Sequence, residues 1–119
     1  MTVDLAAGWE TLVEPGTRAV LEAGVLAEYL PRQRWFLGRT RTIQGCRIDD
    51  WMPITRAACL LFCVVQYTSG EAETYVVPLA LAAGAEAERI QQALPNAVVC
   101  AVTDSEQAGV LYDALATDE

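Results

Sequence analysis

The side chains that could do chemistry in this 119-residue chain are few, and several of the usual ones are missing. There is no His, and all eight cations are Arg. Without His there is no imidazole acid–base step, no Ser-His or Cys-His nucleophile pair and no His-ligated metal. Without Lys there is no Schiff base and no phosphate-cradling P-loop lysine. The adjacent carboxylates Asp49 and Asp50 are the nearest thing to an acid–base pair. On a strand they point to opposite faces unless a bulge intervenes, so they do not read as a working pair. Glu71 and Glu73 flank a turn and read as solubilising. The cysteines Cys46, Cys59, Cys63 and Cys100 form no Cys-x-x-Cys pair, and all but Cys46 sit in apolar runs. They read as reduced core thiols, with a disulfide as the other reading and a four-Cys metal site disfavoured by the spacing. Asp113 interrupts an apolar run, so it must face solvent or accept backbone donors. No catalytic, cofactor-binding or metal-binding residue is assigned, and the chain alone is not expected to be an enzyme.

The densest stretch is Leu-Pro-Arg-Gln-Arg-Trp-Phe-Leu-Gly-Arg-Thr-Arg at 30–41. Aromatics between arginines can stack bases while Arg pairs with phosphates. The same pattern also serves as a loop whose aromatics plug the core and whose arginines brace a helix exit, or as a surface that docks another domain. The residues that matter in these readings are Arg34, Trp35, Phe36, Gly38 and Arg39: Trp35 and Phe36 as anchors, Arg34 and Arg39 as braces or docking groups.

The elements that must hold this stretch can be read from pattern. Leu21, Val25 and Tyr29 recur at helical spacing, with Leu26 and Leu30 extending the stripe, which predicts a helix over Thr17–Leu30. Thr17 is a plausible N-cap, and Pro31 marks the end. Residues 3–14 hold a short element of ambiguous type. Strands are expected over Ile43–Ile54, Ala57–Thr68 and Thr74–Ala82, the last two joined by the turn Thr68-Ser69-Gly70-Glu71. Residues 57–67 could also be a buried helix, but the hairpin turn favours strand. Pro78 should sit at an edge or a bulge. A second helix over Ala83–Leu94 precedes strands at Ala97–Thr103 and Val110–Ala116, joined by the loop Asp104–Gly109. The order helix, three strands, helix, two strands predicts an α+β domain with an antiparallel sheet of about five strands packed on a helix.

Composition bounds the rest. The chain is 53% hydrophobic and 20% charged, which excludes intrinsic disorder. The net charge of −8 argues against nucleic acid as a partner. The charge is uneven: residues 32–56 carry six Arg against two Asp, a basic island in an acidic chain. It is either a solvated face or a docking surface for an acidic partner or domain. The longest uncharged apolar run, Ala57–Val65, is too short to span a bilayer, and no signal peptide is visible. A cytoplasmic chain with no membrane partner is expected. Strands 97–102 and 110–115 are apolar enough to want cover on both faces, so the isolated chain is expected to self-associate, with a homodimer favoured.

The stretch 30–39 resembles the Leu-Pro-x-Gln-Arg-Trp-Phe-x-Gly-Lys segment near the start of bacterial maltokinases, including forms fused behind a trehalose synthase. The similarity continues in register through Ile48-Asp49-Asp50, Glu73-Thr74-Tyr75-Val76-Val77-Pro78-Leu79, Pro95-Asn96-Ala97-Val98-Val99 and Gly109-Val110-Leu111-Tyr112-Asp113-Ala114. It covers roughly residues 26–116. Arg39 stands where the family usually has Lys, which keeps the charge but not the geometry. The resemblance implies a cystatin-like N-terminal cap spanning 1–119, with 97–119 alternatively the first strands leading into the kinase N-lobe. It implies a parent that transfers a phosphoryl group from ATP, with Mg²⁺, to maltose, giving maltose 1-phosphate for α-glucan and trehalose metabolism. The nucleotide, metal and catalytic residues would lie downstream, and the cap's partner would be the catalytic lobes of the same polypeptide. The alternative is a stand-alone cystatin-like binding or oligomerisation module.

Overall fold

The computed structural model describes residues 2–3, 8–38, 40–104 and 107–116, with Thr2 and Val3 described by backbone alone. The fold is α+β. Five antiparallel strands follow each other as β2 (Ile43–Thr55), β3 (Ala58–Tyr67), β4 (Glu73–Ala83), β5 (Val98–Asp104) and β6 (Gln107–Asp113). A two-residue strand β1 (Thr2–Val3) pairs parallel to the end of β5. The sheet order is β1-β5-β6-β4-β3-β2, so β6 is inserted between β4 and β5.

The first helical element is longer than its pattern suggests and is not one regular helix. It runs as α1 (Pro15–Val20), a π-helical turn (Leu21–Val25), α2 (Leu26–Tyr29) and a 3-10 turn (Leu30–Arg32). The π-turn adds a residue to the helical period, so Leu21 and Leu26, five apart, both face the core along with Tyr29 and Leu30. Thr17 is not the cap. Pro15 opens the helix, with Glu14 before it and no side-chain cap. Nor does Pro31 end the run at Leu30, whose backbone stays helical at φ −57° and ψ −46°. The full burial of Leu30 outweighs the local pre-proline preference. The ambiguous N-terminal element is a 3-10 turn, Trp9–Val13. Its Trp9 is buried and donates its indole N–H to the Thr55 carbonyl at 2.9 Å.

Each face of the sheet has its own cover. The first helical run packs on the face carrying Cys59, Leu61, Cys63, Val65, Val77, Leu79 and Leu111, which forms the main core. The second helix, α3 (Gly84–Ala93), lays Ala87 and Ile90 against Ala82 and Val110 on the opposite face. β6 therefore has helical cover on both sides, with Leu111 in the main core and Val110 under α3, whereas β5 leaves Ala101 and Thr103 exposed on its α3 side, so the expectation of uncovered apolar strands holds for β5 and fails for β6. Pro78 is not on an edge strand either, since β4 lies between β3 and β6, and no bulge interrupts its pairing with β3. It is tolerated because β6 stops beside it: Asp113, the last residue of β6, pairs with Leu79. That end comes three residues earlier than the pattern suggests, because the Asp113 carboxylate accepts the Leu115 N–H at 2.9 Å and turns the chain. Asp113 does accept a backbone donor, as its position in an apolar run requires.

Candidate functional site

The arginine- and aromatic-rich stretch is a loop between the first helical run and β2, and it crosses the end of the β3–β4 hairpin. Its two aromatics divide. Phe36 is 3% exposed and belongs to the core, with its ring 4.9 Å from that of Tyr75. Trp35 is 38% exposed and rests on the same ring at 5.9 Å from outside. The expectation that both plug the core holds for Phe36 and fails for Trp35: the two lie in a turn closed by the Phe36 N–H on the Gln33 carbonyl at 3.2 Å, which leaves Phe36 in the core and Trp35 outside it. Gly38 is buried against Tyr67, whose hydroxyl and ring occupy the space where any Cβ would stand. Arg34 is exposed, and Arg39 lies outside the described residues.

The braces are other residues. Arg32 donates to the Val98 carbonyl at 3.1 Å, and Gln33, buried, donates to the Asn96 carbonyl at 3.0 Å. Both tie the loop to the link between α3 and β5. Arg41 spans the hairpin turn, donating to the carbonyls of Ser69 at 3.0 Å and Glu71 at 2.8 Å. Its guanidinium lies over the ring of Tyr67, 3.6 Å from the centroid, and stands 3.7 Å from the Glu73 carboxylate. Gly70, at φ +87°, gives the turn the left-handed backbone that lets its carbonyls converge there.

Glu73 is the hub, not a solubilising residue. Its Oε1 accepts the hydroxyl protons of Tyr67 at 2.5 Å and Tyr75 at 3.0 Å, while Tyr75 in turn accepts the Leu37 N–H at 3.1 Å. The tyrosine hydrogen bonds, Tyr67 first, hold the Glu73 carboxyl below the usual carboxylate range. Desolvation, and then the bond to Glu73, pushes the Tyr67 hydroxyl up. Tyr67, Glu73 and Tyr75 share one face because β3 and β4 pair in register, Val65 opposite Glu73. That register, counted from the turn, is the signal from which the cluster could have been found.

The remaining candidates do not assemble chemistry. A bulge between Ile48 and Asp50 does separate Asp49 from the regular pleat. Even so, Asp49 stands 3.5 Å from Arg47 while Asp50 accepts the N–H of Trp51 at 2.8 Å, and both are exposed. The basic island is likewise divided: Arg41 is held inward by the hairpin turn and Arg47 pairs with Asp49, while Arg32 and Arg34 line a cleft at the other end of the loop. The four cysteines are free thiols, Cys46, Cys59 and Cys63 buried and Cys100 partly so. Burial pushes Cys59 and Cys63 up to about 12 and Cys100 to about 11, and raises Cys46 as well, which disfavours the reactive thiolate in all four. Among the described residues no group of three or more His, Cys, Asp or Glu could hold a metal ion, and no helix is long and apolar enough to cross a membrane.

The loop thus ends in a shallow cleft of about 750 Å³ bordered by Arg32, Arg34, Trp35, Leu94, Asp113 and Leu115. It is a surface feature at the opposite end of the loop from the tyrosine–carboxylate–arginine brace. The maltokinase N-terminal cap domain family matches residues 29–116, a span that contains the loop, the brace and the cleft, and the chain belongs to that family.

Proposed function

We propose that this chain is the non-catalytic cap of a kinase that transfers a phosphoryl group from ATP to maltose. The observation that carries this is the family match over residues 29–116. The catalytic lobes, with ATP and Mg²⁺, are assigned to polypeptide outside this chain. The residues of the cap suit that division. Phosphoryl transfer needs Mg²⁺ ligands and a positioned base, and the adjacent carboxylates Asp49 and Asp50 are engaged by Arg47 and by the Trp51 N–H.

In this reading the loop presents Arg34 and Trp35 outward, and the cleft beside them receives the catalytic part. The brace of Arg41, Tyr67, Glu73 and Tyr75 keeps the loop in one shape before contact, which lowers the ordering cost of docking. Purified 1–119 should consume no ATP in the presence of maltose, whereas the polypeptide that carries this cap together with its catalytic lobes should form maltose 1-phosphate. Arg34→Ala should move the melting temperature of 1–119 by less than about 5 °C, because an exposed charged side chain contributes about 0–1 kcal/mol. It should weaken the joined protein. Turnover by 1–119 that a substitution within it abolishes would sink the reading.

A further inference from the structure

β6 covers only part of β4. With Asp113 opposite Leu79, the stretch Glu73–Val77 has β3 on one side and no described strand on the other. The Ala114 N–H donates to the Pro78 carbonyl at 3.2 Å, so Pro78 turns its backbone toward this flank. Alternate residues of an antiparallel strand turn their N–H and C=O to the same side. Thr74 and Val76 therefore aim two donors and two acceptors at the open flank.

The opening is built rather than accidental. Pro78 has no N–H with which to continue the ladder, and Asp113 turns the chain away by accepting the Leu115 N–H on its carboxylate and the Ala116 N–H on its carbonyl. Of the large apolar side chains exposed among the described residues, Trp35, Leu37 and Leu115 border this flank, and Val76 lies on the open strand itself, on the face of β4 that carries Ala80 and Ala82. Trp35 rests on Tyr75, Leu37 is bonded to the Tyr75 hydroxyl, and Leu115 shares the cleft with Trp35. The outer edge of the sheet is treated differently. β2 carries three bulges, and Glu22 and Arg18 occupy the backbone N–H and carbonyl of Ile48. Such devices protect an edge from pairing.

We infer that the half-edge Thr74–Val76 of β4 receives an extended strand from the catalytic part of the same polypeptide. The strand pairs with the backbone of Thr74 and Val76 and seats apolar side chains against Trp35 and Leu115. This rests on the cap reading above. Supply in cis is favoured by the course of the chain: Ala114, just past β6, is bonded to the Pro78 carbonyl at the head of this flank, so a strand joined to it by a short turn meets the edge at high effective concentration.

Amide hydrogen exchange, read residue by residue by NMR in dilute samples, tests this. In 1–119, Thr74 and Val76 should exchange within about tenfold of the free-peptide rate while Tyr75 and Val77, bonded to β3, are protected. In the polypeptide that includes the catalytic part, Thr74 and Val76 should slow by about 100-fold or more. Leu115→Asp, at an exposed site, should reverse that slowing without changing the exchange of Tyr75 or Val77. Equal rates for Thr74 and Val76 in the two proteins, or protection already present in dilute 1–119, would overturn the inference. Maltose phosphorylation measured on the same samples keeps the two readings apart. An active kinase with fast Val76 exchange refutes the added strand alone. Slowed exchange without kinase activity upholds the strand and refutes the substrate.

Discussion

Arg41 lies over Tyr67, its guanidinium carbon 3.6 Å from the ring centroid, and from there it donates to the Ser69 and Glu71 carbonyls of the hairpin turn. One side chain from the loop thereby holds the strand that carries Tyr67 and the turn that leads to Glu73. The guanidinium meets the ring and two carbonyls at once, a combination that its planar fork of donors allows and an ammonium does not reproduce.

Arg41→Lys should therefore behave more like Arg41→Ala than like the parent. Loss of the stacking and of the two carbonyl bonds should cost about 1–2 kcal/mol in each. Urea denaturation of the three proteins checks this. A lysine variant as stable as the parent would show that charge alone is needed there.

Phe36→Ala should be the damaging aromatic substitution. Truncating a buried Phe costs about 3–5 kcal/mol, enough to lower the melting temperature of a domain this size by more than about 10 °C. Trp35→Ala removes a side chain that is 38% exposed and should cost less than half as much. Thermal melts of the two variants side by side decide it, and the reverse order would mean that Trp35 is the anchor.

Acid should loosen the brace. The folded-state pKa of Glu73 lies below its unfolded value, so the stabilisation is present above the unfolded pKa and is lost as pH falls through the folded one. The melting temperature should hold from pH 7 to about 5 and fall below about 4.3, the ordinary Glu value. Glu73→Gln should melt lower than the parent at pH 7 and fall less steeply with acid. Parallel acid branches for the two proteins would place the titrating group elsewhere.

Thiol titration at pH 8 should find the native protein nearly inert. Cys46, Cys59 and Cys63 are buried, and Cys100 is only partly exposed with its thiol pushed up to about 11. All four should react once the protein is denatured, with Cys100 the first to react on mild destabilisation. Rapid native labelling of Cys63 would contradict the packing of β3 against the helical run.

Without its covering strand, 1–119 should associate weakly through the apolar cluster around β4. Light scattering coupled to size exclusion should give a mass near 12.9 kDa when dilute and rising toward twice that with concentration. Val76→Arg should hold the mass at the monomer value. Association unchanged in Val76→Arg would point to another surface, such as Met52 and Ile54 on β2.

The sequence by itself determined the element order, the α+β class and the family. Those signals are local: apolar spacing in 17–30, turn residues at 68–71, and an ordered set of short motifs. That an aromatic of the stretch after the first helical run would turn inward was also legible. Only the tertiary structure decided which of two adjacent aromatics faces out, since that depends on where Tyr75 places its ring. The helix boundaries shifted because burial of Leu30 and the π-turn at Leu21–Val25 outweigh capping and pre-proline preferences of about 1 kcal/mol. Glu73 looked like a surface charge because its partners, Tyr67 and Arg41, reach it across a hairpin and a loop. Pro78 read as an edge residue because a sequence does not show where a neighbouring strand stops. Strand order and strand ends are set by which apolar faces can be covered together, a property of the whole packed chain and not of any window within it.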